Sequence, residues 1–424
     1  MLRPLPTGLT IPVAEAAVPA DAIPIQVTEE AGIFAAWKDD FRVEPLVREG
    51  DRVAQGEPVL RSRREPEIVV VAPMPARVAT IGLGAGHRLS EVVFFHEPDA
   101  GRHEHDVDSA RSLEDRAALR DALLGSGLWR DFRSRPFGRV PAPREAPSAI
   151  VVMALDTRPG APDPRLALAG RQAEFEHGLR ALTLLTDGPV LLCQDHGPEL
   201  FYDRGVGGRI RLVKSHDEHP WGLAGFQVHR HHPAEAGRPV WDIHAEDVAG
   251  IGAFLLTGLV PETRLVSVTG TALREPRLVR CQAGADLRAL SYRQVRPGRH
   301  SVLAGSVLDG QEARWLGARD RQATVISGEM PSRDHHWFLS ALRRASRPLP
   351  LIPTAAVDHA MGGEIPAVAF LKAVAVGDTE TAIRLGALSL LGEDLALADY
   401  VTCAEPRFSE LLARMLDRIA EEGT

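Results

Sequence analysis

The sequence predicts a multidomain protein of mixed α/β and α+β class, on three observations. Its 424 residues exceed what one ordinary core organises and point to two to four domains. Short apolar runs alternate with segments of helical period through the middle of the chain, as in βαβ units. Near the end, Phe408, Leu411, Leu412, Met415, Leu416 and Ile419 follow the i, i+3, i+4, i+7 spacing of an amphipathic helix.

The first hundred residues read as a small β domain. Val43–Val47, the turn Glu49-Gly50-Asp51, Pro58-Val59-Leu60, Ile68–Val71, Ala76-Arg77-Val78 and Val92–Phe95 are extended runs divided by Gly and Pro. This order resembles the barrel-sandwich fold of biotinyl and lipoyl carrier domains. Carriers need a lysine at the hairpin tip for their covalent arm. The tip here is Arg61-Ser62-Arg63-Arg64-Glu65, so a structural use of the fold is expected. Gly82-Leu83-Gly84-Ala85-Gly86 precedes a strand rather than a helix, which makes it a hairpin turn rather than a phosphate cradle.

A Rossmann-like alternation follows. Ser112 is the expected N-cap of a helix with Leu119, Ala122 and Leu123 on its apolar face, ended by Gly125. Ala149–Leu155 and Val190–Cys193 are continuous apolar runs, as in strands buried on both faces, and Ile210–Val213 is a third strand. Phe175, Leu179 and Leu182 mark one helix, and Val248, Ile251 and Leu255 another that ends near Gly258. The first strand-to-helix turn reads Asp156-Thr157-Arg158-Pro159-Gly160 and lacks the glycine fingerprint of a dinucleotide site. Leu265–Val268, Arg277–Arg280, Ser301–Leu303 and Thr324–Ile326, with a short helix at Asp286–Leu290, form an α+β module. Ala367–Val376 and Thr379–Leu388 are helices that precede the last one. The expected division is 1–105, 106–258, 259–330 and 331–424.

Composition excludes several classes. Net charge is −8, so a generally basic nucleic-acid binder is not expected. Cys193, Cys281 and Cys403 lie too far apart in sequence for a disulfide scaffold or a local four-cysteine cluster. The longest apolar runs, Ile68–Pro75 and Ala149–Leu155, fall far short of the ~20 residues of a spanning helix, and prolines interrupt the N-terminus. A cytosolic chain, open to peripheral docking on a membrane complex, is the expectation.

Candidate chemistry is sparse. His216, His219, His229, His231 and His232 cluster with Asp217 and Glu218, but without an HExxH helix or paired ligand spacing, and Pro220 and Pro233 suggest a solvated loop rather than a metal site. Cys193 reads as a small core residue. Arg130, Arg133, Arg135 and Arg139 interleave with Trp129, Pro136 and Phe137, either as a surface for a carboxylate, phosphate or partner or as a solvated face.

Larger blocks carry a family resemblance. Ser126–Pro141 (SGLWRDFRSRPFGRVP), His219–Gly225 (HPWGLAG), Gly8–Pro12, Ala304–Leu308, Gly377–Glu380 and Gly392–Leu397 resemble, in order, the NqrA subunit of the sodium-translocating NADH:quinone reductase. The resemblance implies a peripheral, cofactor-free subunit on the cytoplasmic side of a bacterial inner membrane. It would work in a six-subunit complex that passes electrons from NADH to ubiquinone and exports sodium. NADH, flavins and iron–sulfur centres would belong to partner subunits, some of them in the membrane. It also implies a β-grasp-like third module and a C-terminal helical domain. Related subunits of respiratory complex I and the Rnf complex hold flavin and NADH on a glycine-rich loop. Arg133-Ser134-Arg135-Pro136-Phe137 stands in its place here, and of a C-terminal cysteine cluster only Cys403 remains. Val376, Ala387 and Ala398 stand where other members can have cysteine. A quinone site would need an apolar cleft with one or two donors. Trp129, Arg133, Arg135 and Phe137, or Trp221 with His219, are the candidates for quinone or partner contact. The alternatives are a free-standing or Rnf-type flavin/NAD electron-transfer subunit, or a pure scaffold.

Overall fold

A computed structural model describes residues 8–35, 41–202, 208–328 and 351–422. The chain from 331 to 350, where the family resemblance is weakest, lies outside them.

The N-terminal unit packs two small antiparallel sheets face to face. One orders Glu30–Phe34, Leu89–His96, Ala76–Leu83 and Arg52–Val53, and the other Val43–Pro45, Pro58–Ser62 and Val69–Val71. Alternation drives the packing: Ala76 and Val78 point inward while Arg77 faces solvent. The inward set joins Val43, Leu60, Val70, Val92 and Phe94 in one core. Gly82–Gly86 is the expected hairpin region between antiparallel strands.

The second unit is a five-stranded sheet ordered Ile210–Lys214, Val190–Gln194, Ala149–Ala154, Val240–His244, Arg133–Arg135. The first four run parallel and the last antiparallel. Every residue of Ala149–Ala154 is buried, because helices cover both faces. Helices Gln172–Leu185 and Ala245–Thr257 cross at glycines. A Cβ on Gly178 would lie 2.0 Å from the Val248 carbonyl oxygen, and one on Gly252 would lie 1.8 Å from that of Glu174.

Four local expectations need correction. The helix Arg116–Gly125 is capped by Asp115, whose carboxylate accepts from the amides of Ala117 and Ala118, and Ser112 instead closes the short helix Asp108–Arg111. Strands Arg133–Arg135 and Val240–His244 escape the apolar-run criterion because both carry charges that are paired internally. The histidine segment contains a helix, Ala224–His231, and its two prolines bracket that helix. Thr379–Leu388 is interrupted at Gly386, whose φ of 103° ends the helix Thr379–Arg384.

The third unit is a mixed sheet ordered Arg277–Cys281, Arg264–Thr269, Gln322–Ser327, His300–Ala304, Gln311–Glu312, with a parallel pair at Arg264–Thr269 and Gln322–Ser327. The C-terminal helices gather Phe370, Leu388, Leu397, Leu412 and Met415 into a core that also takes in Leu223 and Phe226 of the second unit. That shared core fixes the helical end against the α/β sheet.

Candidate functional site

Antiparallel pairing of Arg133–Arg135 with Val240–Asp242 sets both arginines on one face, with Asp242 between them. The Asp242 carboxylate accepts from Arg133 Nη2 at 3.0 Å and from Arg135 Nε at 2.8 Å. Arg133 Nη1 also donates to Glu393 at 2.6 Å, and Arg135 Nη1 to Asp394 at 2.8 Å and to the Ser389 carbonyl. Burial would push the Asp242 carboxyl up, but the two guanidinium groups outweigh it and hold it below the usual range. Glu393 is held down in the same way, chiefly by Arg133. Asp394 is pushed up, because its burial and the Glu393 charge outweigh Arg135. The carboxylates these arginines hold are therefore the chain's own, and neither arginine forms a solvated face.

The other candidate residues separate. Trp129 is fully buried, packs edge-on against Trp241 with ring centroids 5.2 Å apart, and donates its indole N–H to the Pro141 carbonyl at 2.8 Å. It is core. Phe137 packs beside the C-terminal helices and lines a polar cleft. His219 is buried, with Nδ1 3.2 Å from Thr157 Oγ1, and burial drives its pKa down to about 4, so it is neutral at physiological pH. Trp221 packs against Phe226, under the guanidinium of Arg230. Among the described residues no three His, Cys, Asp or Glu side chains are arranged to hold a metal ion.

Two clefts remain. The larger, about 530 Å³, opens at the carboxyl ends of Ala149–Ala154 and Val240–His244. Doubly wound sheets bind ligands at this point, where the strand order reverses. Here it is lined by Asp156, Arg158, Asp242, Asp309, Asp320 and Glu393 among others. Arg158 is held by Asp156 at 2.5 Å and lies 3.6 Å from Asp309. His244 caps the helix Ala245–Thr257 by accepting from the Glu246 amide, and burial followed by Arg321 lowers its pKa to about 3. The carboxylates outnumber the arginines, which disfavours a phosphate.

The smaller cleft, about 140 Å³, lies where three units meet. Ile33, Phe34, Val71, Leu128, Val260 and Leu316 give it apolar walls, and Arg130, Asp131 and Arg264 are among its polar groups. Its volume matches cavities that hold one benzene ring. No local sequence pattern marks it, because its walls come from segments far apart in the chain. The nearest signal is Leu128 and Arg130, which flank the buried Trp129.

Comparison with known proteins gives matches in chain order. Family models match an NqrA N-terminal barrel-sandwich hybrid domain at residues 5–97, an NqrA second alpha/beta domain at 114–260 and an NQRA C-terminal domain at 265–314. The NqrA subunit of the Na(+)-translocating NADH-quinone reductase from Alcanivorax borkumensis is 30% identical over 455 residues, covering 98% of this chain and 99% of its own length. The chain belongs to the NqrA family of Na(+)-translocating NADH-quinone reductase subunits. The member from Actinobacillus pleuropneumoniae serotype 5b is 32% identical over 451 residues, with 98% and 99% covered. A chain of the NAD+-reducing [NiFe]-hydrogenase in its H2-reduced state covers 72% of this chain and 63% of its own, at TM-score 0.37 and 11% identity, too distant to carry an argument. In this member of the NqrA family the Arg-Ser-Arg segment is an edge strand locked to Asp242, and the helical end is locked to it through Glu393 and Asp394.

Proposed function

We propose that this chain serves as the NqrA subunit of a Na+-translocating NADH:ubiquinone reductase, supporting ubiquinone reduction coupled to sodium export without a redox centre of its own. The near-full-length similarity to chains named as that subunit carries the reading. We place it on the cytoplasmic side of the bacterial inner membrane, docked on the other five subunits, which include the membrane subunits and hold NADH, flavins and iron–sulfur centres. No helix among the described residues is long and apolar enough to cross a membrane, which agrees with a peripheral place. The strand-end cleft supports the absence of a resident flavin: its turn has Arg158 paired with Asp156 where a phosphate loop would lie.

Quinone contact belongs to the same reading. The apolar cleft at the three-unit junction suits a quinone ring better than Trp129, which is sealed in the core, or Arg135, which is fully paired in its buried network. Phe137, Arg133, Trp221 and His219 are then left to partner contact or support. The test is a thermal-shift titration of the purified full chain. A colourless protein with no shift from NADH or FMN and a saturable shift from short-chain ubiquinone agrees with the reading. A yellow protein, or a shift with NADH, contradicts it and favours an Rnf-type or free-standing flavin/NAD subunit.

A further inference from the structure

The apolar cleft contains a carboxylate without a close partner. Asp131 ends the turn Leu128–Asp131 and is partly exposed because it opens onto both clefts. Its carboxyl makes no hydrogen bond or ion pair with the described residues. The charged groups around it are committed elsewhere. Arg321 is held by Asp247 at 2.5 Å and by Glu246 at 2.9 Å, both at the start of helix Ala245–Thr257. Arg264, from the third unit, donates to the Ala318 carbonyl. Arg130 on the same turn lies over the Phe41 ring, and Arg319 reaches the Phe132 carbonyl. Asp247 adds a second negative charge nearby. Burial and then Asp247 push the Asp131 carboxyl up to about 7, against the pull of Arg264, Arg321 and Arg130.

We propose that Asp131, in its protonated form, is the hydrogen-bond donor that seats a carbonyl-bearing ring in this cleft. The inference rests on the quinone reading given above and deepens it. A carboxylic acid donates to a carbonyl oxygen, whereas a carboxylate presents only lone pairs and repels it. A ring held this way keeps one proton bound at Asp131. Its affinity is therefore full below the midpoint and falls about tenfold per pH unit above it. Asp131 is a binding residue in this account, and no electron passes through it.

The test follows ubiquinone-1 binding to the full chain by tryptophan fluorescence from pH 6 to pH 8.5. With the midpoint at about 7, the expected loss of affinity over that range is about thirty-fold. D131N carries an amide that donates at every pH, and its affinity is expected to be flat. A flat wild-type profile, or an equal slope in D131N, overturns the proposal. A measurement without ligand separates the two layers. The infrared difference between wild type and D131N should show a carboxylic C=O band at pH 6 that is gone at pH 8.5. Absence of that band at pH 6 overturns the role of Asp131 even if quinone binds. A titrating band with no saturable quinone binding at any pH overturns the quinone reading, and with it the ligand assigned to Asp131.

Discussion

Arg135 shows how a residue type that suggests a binding surface becomes a structural one. Its guanidinium is wholly buried and satisfies Asp242, Asp394 and the Ser389 carbonyl at once. A buried pair of this kind contributes little net stability against an apolar replacement of both partners, but removing one partner leaves a buried charge behind. Arg135→Ala strands Asp394 and part of Asp242, and the expected loss is about 3–5 kcal/mol, read by urea denaturation of the full chain. A loss below about 1 kcal/mol would mean that the network is open to water. From sequence, a run of arginines among aromatics has two readings that no spacing separates. Only the partner carboxylates decide, and these lie more than a hundred residues away in the chain.

At the scale of elements, periodicity revealed the buried strands and long helices, because burial on two faces leaves a continuous apolar run such as Ala149–Ala154. It failed where charge is neutralised internally. Val240–His244 contains Asp242 and His244 yet is an inner strand of the sheet, and Arg133–Arg135 is an edge strand with two charges. Caps were the other weak point, since Ser112 and Asp115 both fit the composition of a helix start. The structure separates them by the hydrogen bonds of Asp115 to two amides at 2.8 and 3.3 Å. Asp115→Ala should therefore cost about 1 kcal/mol. Ser112→Ala should stay within about 0.5 kcal/mol. Paired denaturation curves of the two variants check the order, and equal losses would contradict the assigned cap.

At the scale of the whole molecule, the sequence blocks announced the family, and the order of fold types followed from them. The clefts did not, because a cavity between units has walls from segments that no local pattern links. The small cleft draws on Ile33, Val71, Leu128, Val260 and Leu316. The ion pairs of Arg133 and Arg135 with Glu393 and Asp394 join the α/β sheet to the helical end, and the shared core with Phe226 joins them again. A frame held this way suits a protein that positions partners rather than one that opens around a nucleotide. The most direct measurement is purification of the affinity-tagged full chain from detergent-solubilised membranes of cells that express it with its neighbouring genes. The account predicts that membrane subunits and a sodium-stimulated NADH:ubiquinone reductase activity elute with the tag. A chain that elutes alone, or that oxidises NADH by itself, would contradict it.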